Sequence, residues 1–510
     1  MGKILRYKDF LLALAIFLSF FATLSFAPLF DLDEGAFSEA TREMLQNGNF
    51  ITTYLNGELR FDKPILIYWL QAISVKIFGL NEFAFRLPSA IAATFWALGI
   101  YWFARRYFEE QTAFLATFLM ITSLQITIIA KAAIADALLN MFIAYSMFFV
   151  YLYLDKKDKK YLYLAFGAIG FGVLTKGPVA ILIPLAVTFI YLLIKKDLKL
   201  FFKTVFNPIG LIIFSAIALP WYILEYMDQG MKFIEGFFLK HNISRFKTSF
   251  EGHGGSLFYY VPVVLAGILP YTTLFLKAIS KVKTWFRNDL YLFFGIWFLF
   301  VFLFFSFSGT KLPHYVIYGY TPLFFIMAIY LKDIKNDLLY MLPALILFLI
   351  LLFLPEIALA IKDNVKDEFA KEIIKESPIY FTLTYRLFFG FSILFLISLS
   401  FNKHFDKITK SVLLGFLSVI AINFFVIPTY GKIAQLPIKE AALIAKKYDY
   451  DVVMYKLNTP SFILYSEKFV KKRAPKSGDI VLTKITALKN IENYKIIYKK
   501  NGIALIKVEK

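Results

Sequence analysis

The stretch Asp289-Leu-Tyr-Leu-Phe-Phe-Gly-Ile-Trp-Phe-Leu-Phe-Val-Phe-Leu-Phe-Phe-Ser-Phe307 decides the fold. One carboxylate opens it, and the eighteen residues that follow carry no charge. That is close to the roughly 20 apolar residues a helix needs to cross hydrocarbon. The rest of the chain repeats the pattern. Comparable apolar stretches lie at 9–29, 86–105, 111–130, 135–154, 161–175, 178–194, 205–224, 257–276, 314–331, 338–355, 379–400 and 411–429, which makes about thirteen in all. The fifth and sixth are short and separated only by Lys176-Gly177-Pro178, so they also read as one re-entrant hairpin.

Composition agrees with this reading. Of 510 residues, 59% are apolar and 60 are Phe, and the mean hydropathy is +0.64. Soluble domains average about 45–50% apolar. Long unbroken runs, rather than alternation, exclude a membrane barrel. No Cys is present, which removes disulfides and thiolate metal sites. The net charge of +20 reads as Lys and Arg crowded into cytoplasmic loops beside anionic headgroups, and not as a nucleic-acid surface.

The loops alternate in character. Basic groups cluster at Lys3/Arg6/Lys8, Arg105/Arg106, 156–160, 195–203, 277–287, Lys332/Lys335 and 403–410, while 31–85 is rich in Asp and Glu. The positive-inside rule then puts the N-terminus inside and residues 31–85 and 430–510 outside. The first stretch reads as a retained span, since its apolar part is too long for a cleaved signal. Within 31–85, Glu34–Leu45 and Ile65–Phe78 predict helices lying in the interface. After Gly431 the pattern becomes a helix at 436–447 and β-type runs at 451–456, 479–483, 495–499 and 503–508. The expectation is a polytopic α-helical membrane domain over 1–430, followed by a small soluble α/β domain over 431–510.

The chemistry-bearing residues gather in the outside loops. Asp31-Leu32-Asp33-Glu34 sets three carboxylates at a membrane surface, where repulsion and desolvation raise carboxyl pKa values. The plainer reading is an acidic N-terminus for the helix that follows. Lys63, before Pro64, places an ammonium at headgroup level, where it suits a phosphate or simply snorkels. Asp136, with Lys131 near it, marks the mouth of the fourth span. His241, Arg245 and His253 share the second long outside loop, and Lys311 sits where Gly309 and Pro313 break the chain between two spans. Should a divalent metal take part, Asp33, Glu34 and Asp136 are its candidate ligands; no cofactor is otherwise indicated. Phosphate-cradling Gly loops, HExxH and nucleophile elbows are absent from the sequence.

Five segments carry a family resemblance: Asp33-Glu34-Gly-Ala-Phe-Ser-Glu39-Ala-Thr-Arg42-Glu43-Met44-Leu45, Phe61-Asp62-Lys63-Pro64-x3-Tyr68-Trp69, Leu174-Thr175-Lys176-Gly177-Pro178, His241-x3-Arg245-Phe246-x6-His253, and Lys311-Leu312-Pro313-His314-Tyr315. Together they resemble the aminoarabinose transferase (ArnT) family of the GT-C superfamily, which also holds protein O-mannosyltransferases. The resemblance implies a GT-C fold and an inverting glycosyltransferase that takes its sugar from a polyprenyl-phosphate carrier. The implied acceptor is lipid A or a similar glycolipid, at the outer face of the bacterial inner membrane. It carries Asp33 and Asp136, with Glu34 beside the first, onto the family's carboxylates. It carries Lys63 onto the residue that meets the lipid phosphate; Arg245, Lys311, His241 and His253 are further phosphate-binding candidates because they are basic groups in the outside loops. One departure is Ala36-Phe37 where the family often has Arg-Tyr. A protein or other glycan acceptor within the same superfamily is an alternative. A flippase for lipid-linked sugars is another, although its usual mid-membrane acids are not the pattern here.

Overall fold

The computed structural model describes residues 3–244 and 254–509. Each of the thirteen apolar stretches has a helical counterpart, but not all form one long rod. Among the described residues seven helices are long and apolar enough to cross a membrane, among them Glu82–Tyr107, Asp136–Lys156 and Asp289–Phe307. The number rises to nine if two bent pairs each count as one span. Those pairs are Tyr260–Gly267 with Thr272–Ser280, bent by 120°, and Asp337–Leu352 with Leu354–Asn364, bent by 66°. Residues 161–194 are two separate helices, Lys159–Lys176 and Val179–Ile194. The protein is an integral membrane protein built from these helices. Its main core is one continuous apolar cluster running from Leu5 to Ala421, dense in stacked and edge-on Phe rings such as Phe103 against Phe148 at 4.4 Å.

The first span unwinds early. Its helical part ends near Phe21, and the chain then runs irregularly to Asp33. Freed backbone groups at membrane depth need partners, and Arg86 supplies them. It donates to the carbonyls of Leu24 (2.8 Å), Ala27 (2.7 Å) and Pro28 (2.9 Å).

The Asp33–Asn47 helix corrects the expectation of an interfacial element. Glu34 through Met44 are all buried. The helix is wedged between Leu66–Phe78 and the C-terminal domain, so it forms the floor on which that domain sits. Gly35 is what permits the approach: a side chain there would meet the Ser461 backbone nitrogen at 2.6 Å.

The C-terminal domain has its own apolar core around Ala441, Met454, Phe462 and Leu482. The Leu436–Lys447 helix packs on a five-stranded sheet. The sheet's strand order is Lys471–Lys472, Val452–Tyr455, Ile480–Lys484, Ile503–Val508, Tyr494–Lys500. The first three strands are parallel and the rest antiparallel. The Pro460–Ser466 helix and the short edge strand were not visible in the hydropathy pattern. The last span's helix continues to Ala434, so the change of character expected at 430/431 falls inside a helix.

This domain and the first loop lie on one face of the molecule. Asn56 and Val470 exchange two hydrogen bonds, both 2.8 Å, and Tyr465 accepts from Leu29 N at 2.8 Å. The loop helix Glu368–Glu376 joins them, since Glu376 accepts from Asn501 N at 2.6 Å. The charge surplus is distributed differently from the expectation of basic cytoplasmic loops alone. Residues 431–510 hold 17 Lys and Arg against 7 Asp and Glu, half of the net +20. Long domains follow the loop-charge rule weakly.

Candidate active site

A cavity of about 1040 Å³ opens between the membrane domain and the C-terminal domain. Asp33, Ala36, Arg60, Phe61 and Asp62 line its floor, and residues from Asn458 to Arg473 line its roof. Asp33 takes the first position of its helix and is exposed to the cavity. Among the described residues it has no hydrogen bond or ion pair. A free carboxylate there is stabilised by the helix N-terminus.

Arg60 is set beside it by a tight hairpin. Asn56 and Gly57 both have positive φ (57° and 76°), the conformation of an Asn-Gly two-residue turn. Buried Glu43 accepts from both turn amides. The turn pairs Tyr54–Leu55 with Glu58–Leu59 and delivers Arg60 to the cavity. The Arg60 guanidinium lies over the Phe37 ring at 5.6 Å, donates to the Tyr68 hydroxyl at 3.4 Å and pairs with Asp62 at 3.1 Å. Phe37 and Tyr68 are themselves stacked at 5.3 Å. Lys63 pairs with the other Asp62 oxygen at 3.0 Å and donates to the Asp62 carbonyl at 2.9 Å. Among the described residues two cations, Arg60 and Lys63, thus flank the one carboxylate of Asp62.

Glu34, expected as a companion of Asp33, has a different setting. Arg86 grips it with two bonds, at 2.9 and 2.7 Å. Phe30 N donates at 2.8 Å and Ala133 N at 2.7 Å. All four lone-pair positions of the carboxylate are filled, and the five N–H donors of Arg86 are likewise all used. Glu34 therefore ties three chain segments together under Asp33. Its oxygens are occupied by these donors, in contrast to those of Asp33.

Asp136 opens the Asp136–Lys156 helix and is 3% exposed. Its Oδ1 accepts from Lys176 Nζ at 2.7 Å and the Tyr318 hydroxyl at 2.8 Å, with His314 Nε2 at 3.9 Å. Lys176 ends its helix just before Gly177, whose φ of +78° suits glycine. Charges on Asp33 and Lys63 act on His314 as well, so this buried cluster adjoins the cavity floor. Lys131 is buried and donates to Thr23 and Asn423.

Lys311 is also buried and donates to the Ser308 carbonyl at 2.6 Å. It braces the break between two spans, and its neighbour Leu312 reaches the cavity instead. Arg245 and His253 lie outside the described residues, as does the side chain of His241. Among the described residues the three candidate metal ligands do not converge on one point. Glu34 is saturated by Arg86, and the bonded oxygen of Asp136 is taken by Lys176 and Tyr318. No group of three metal-ligating side chains occurs among the described residues.

Asp31 faces the other way. Its carboxylate accepts from Ser461 N at 2.9 Å and from the Ser461 hydroxyl, at the start of the Pro460–Ser466 helix. Burial pushes its carboxyl up to about 7 against the lowering effect of those bonds, and Glu34 adds to the rise.

Residues 62–223 match the family model described as dolichyl-phosphate-mannose-protein mannosyltransferase, a segment that contains Lys63, Asp136 and Lys176. An uncharacterised protein of Aquifex aeolicus is 34% identical over 326 residues, 64% of this chain and 73% of that one. The undecaprenyl phosphate-alpha-4-amino-4-deoxy-L-arabinose arabinosyl transferase of Yersinia enterocolitica is 32% identical over 337 residues, 64% of this chain. The crystal structure of ArnT from Cupriavidus metallidurans bound to undecaprenyl phosphate superposes with a TM-score of 0.81 over 98% of both chains, at 18% identity. The chain is similar in sequence to an ArnT-type arabinosyl transferase and shares the fold of the Cupriavidus ArnT. The match spans 60% of the length of the Yersinia transferase.

Two features of this ArnT-like chain were missed in its sequence. Arg60 is one, because nothing local in the sequence says that a hairpin aims it at the cavity. The cavity's roof was missed altogether. A signal for the roof did exist: the basic run Lys471-Lys472-Arg473 stands on the face that the loop charges mark as outside.

Proposed function

We propose that this chain is an inverting glycosyltransferase that moves a sugar of the aminoarabinose type from a polyprenyl phosphate to a lipid acceptor. The acceptor in this reading is a phosphorylated glycolipid of the lipid A kind. The reaction takes place at the outer face of the inner membrane, where the cavity and the C-terminal domain both lie. The observation that carries it is the pairing, on one cavity floor, of an unengaged carboxylate, Asp33, with the Arg60–Asp62–Lys63 group. The name of the Yersinia relative and the undecaprenyl phosphate bound by the Cupriavidus ArnT support the same reading.

The chemistry follows from charge. As the bond from sugar to phosphate breaks, the phosphate gains negative charge and the anomeric carbon becomes cation-like. Arg60 and Lys63 stabilise the first, and fixed donors in a partly dry site are worth far more than in water. Asp33 favours the second. With a hydroxyl acceptor Asp33 also takes the proton; with a phosphate acceptor it has no proton to take and acts by charge. Asp136, held by Lys176 and Tyr318, keeps the adjoining elements in place. A carrier anchored in the membrane and an acceptor entering the same cavity meet with their orientation already set.

The test is reconstitution of the purified chain with a radiolabelled polyprenyl-phosphate sugar and lipid A. The expected result is labelled lipid A and an equal amount of freed polyprenyl phosphate. A labelled protein in place of labelled lipid would favour the mannosyltransferase-type reading that the family model at 62–223 suggests. No release of polyprenyl phosphate with any acceptor would refute the reading.

A further inference from the structure

The roof of the cavity carries charge that the reaction at the floor does not use. Lys471 and Lys472 form the two-residue edge strand of the C-terminal sheet, paired in parallel with Val453 and Met454. Both are exposed and both line the cavity. Lys472 donates to the neutral Asn458 at 2.9 Å, and Lys471 has no polar partner among the described residues. Arg473 next to them is different: two bonds to Asp479, at 2.6 and 2.9 Å, neutralise it and fix the end of the strand. Val470, immediately before the lysines, is pinned to Asn56 of the floor hairpin by the reciprocal pair of bonds. The lysines are therefore held at a fixed height above Arg60 and Asp33.

An apolar group stands beside them. Phe469 is 58% exposed although it borders the same cavity. An aromatic face with two ammonium groups is the chemistry that binds a phosphorylated sugar, since the ring covers the sugar's apolar side and the lysines take the phosphate. The surrounding domain is strongly basic on a face where membrane-protein loops are otherwise acidic.

We propose that Phe469, Lys471 and Lys472 form the acceptor's docking site, and that the acceptor is a lipid whose sugar headgroup bears a phosphate besides the reacting oxygen. This rests on the reading under Proposed function. The floor binds the donor's phosphate through Arg60 and Lys63, and the roof binds the acceptor's second phosphate, so the two anions are kept apart and the reacting oxygen points down toward Asp33. No bond is made or broken at the roof.

The experiment uses the full-length chain in neutral detergent, with Lys471→Glu/Lys472→Glu compared to wild type and with Phe469→Leu as a milder second variant. Thermal unfolding of each checks that it is folded. The double variant should raise the KM for a two-phosphate acceptor about tenfold. The KM for the polyprenyl-phosphate donor should stay within about twofold, and the effect should shrink with an acceptor that has only one phosphate. An unchanged acceptor KM would overturn the proposal. So would a change that appears only in vesicles containing anionic phospholipid, because the lysines would then be reading membrane charge. If wild type transfers no sugar to a phosphorylated lipid, the function reading has failed. The docking site is then judged by the Kd of that lipid alone, which the double variant should still weaken about tenfold and which, if unchanged, overturns it.

Discussion

Asp33 and Asp136 each stand at the first position of a helix, and their surroundings are opposite. Asp33 faces an open cavity with its oxygens unengaged among the described residues. Asp136 is buried and its charge is spent on Lys176 and Tyr318. The difference separates two uses of a carboxylate. One that is paired with a buried cation holds structure, because removing it strands that cation. One that is left open, and is supported by only a helix end, is available to a substrate. Glu34 makes the same point one residue from Asp33: it is adjacent in sequence, and all four of its lone-pair positions are filled.

The comparison is most easily broken by the stability of Asp136→Leu. Stranding Lys176, whose side chain is 9% exposed, should cost about 3–5 kcal/mol, as for other broken buried pairs. Size-exclusion profiles and thermal unfolding should report loss of folded protein, whereas Asp33→Leu should leave both unchanged. Equal stability of the two variants would mean that the buried cluster is not structural. A smaller effect, on rate alone, is expected at the floor. Arg60→Ala or Lys63→Ala should lower transfer by about 10²–10³ through lost stabilisation of the leaving phosphate, with unfolding temperatures near wild type. Wild-type turnover in both would remove the phosphate role.

A further effect concerns Asp31, which sharpens the contrast from a third side. Its carboxyl is raised to about 7 in the folded chain against about 3.9 unfolded. The folded state therefore holds a proton that the unfolded state releases between these values. Stability should fall as pH rises from about 4 through 7 and level off above. In Asp31→Asn this slope should be absent, because Asn does not titrate and still bonds Ser461. An unchanged slope in thermal unfolding between pH 5 and 8 would assign the titration elsewhere.

What was legible in the sequence was local. Spans, the 436–447 helix and four of the five strands of the C-terminal sheet follow from hydropathy and periodicity within short windows. Asp33, Asp62 and Lys63 stood out because charges in tight clusters beside a span demand a reason. What was not legible is long-range. The partner of Glu34 is Arg86, 52 residues away, and Asp31 meets Ser461 across 430 residues. The short edge strand with its lysines has too few residues to show a period. The burial of the Asp33–Asn47 helix also escaped, since its polar groups, such as Glu39 paired with Arg42 at 2.7 Å, satisfy one another inside the protein and so mimic an interfacial pattern.

The most direct measurement is sugar transfer by purified Asp33→Asn from a defined polyprenyl-phosphate donor to lipid A, with thermal unfolding of the same preparation. Asn keeps the shape and removes the charge. The account predicts transfer lowered by at least about 10²-fold with an unfolding temperature equal to wild type. Transfer at the wild-type rate by the folded variant would contradict the assignment of the open carboxylate as the group that acts on the sugar.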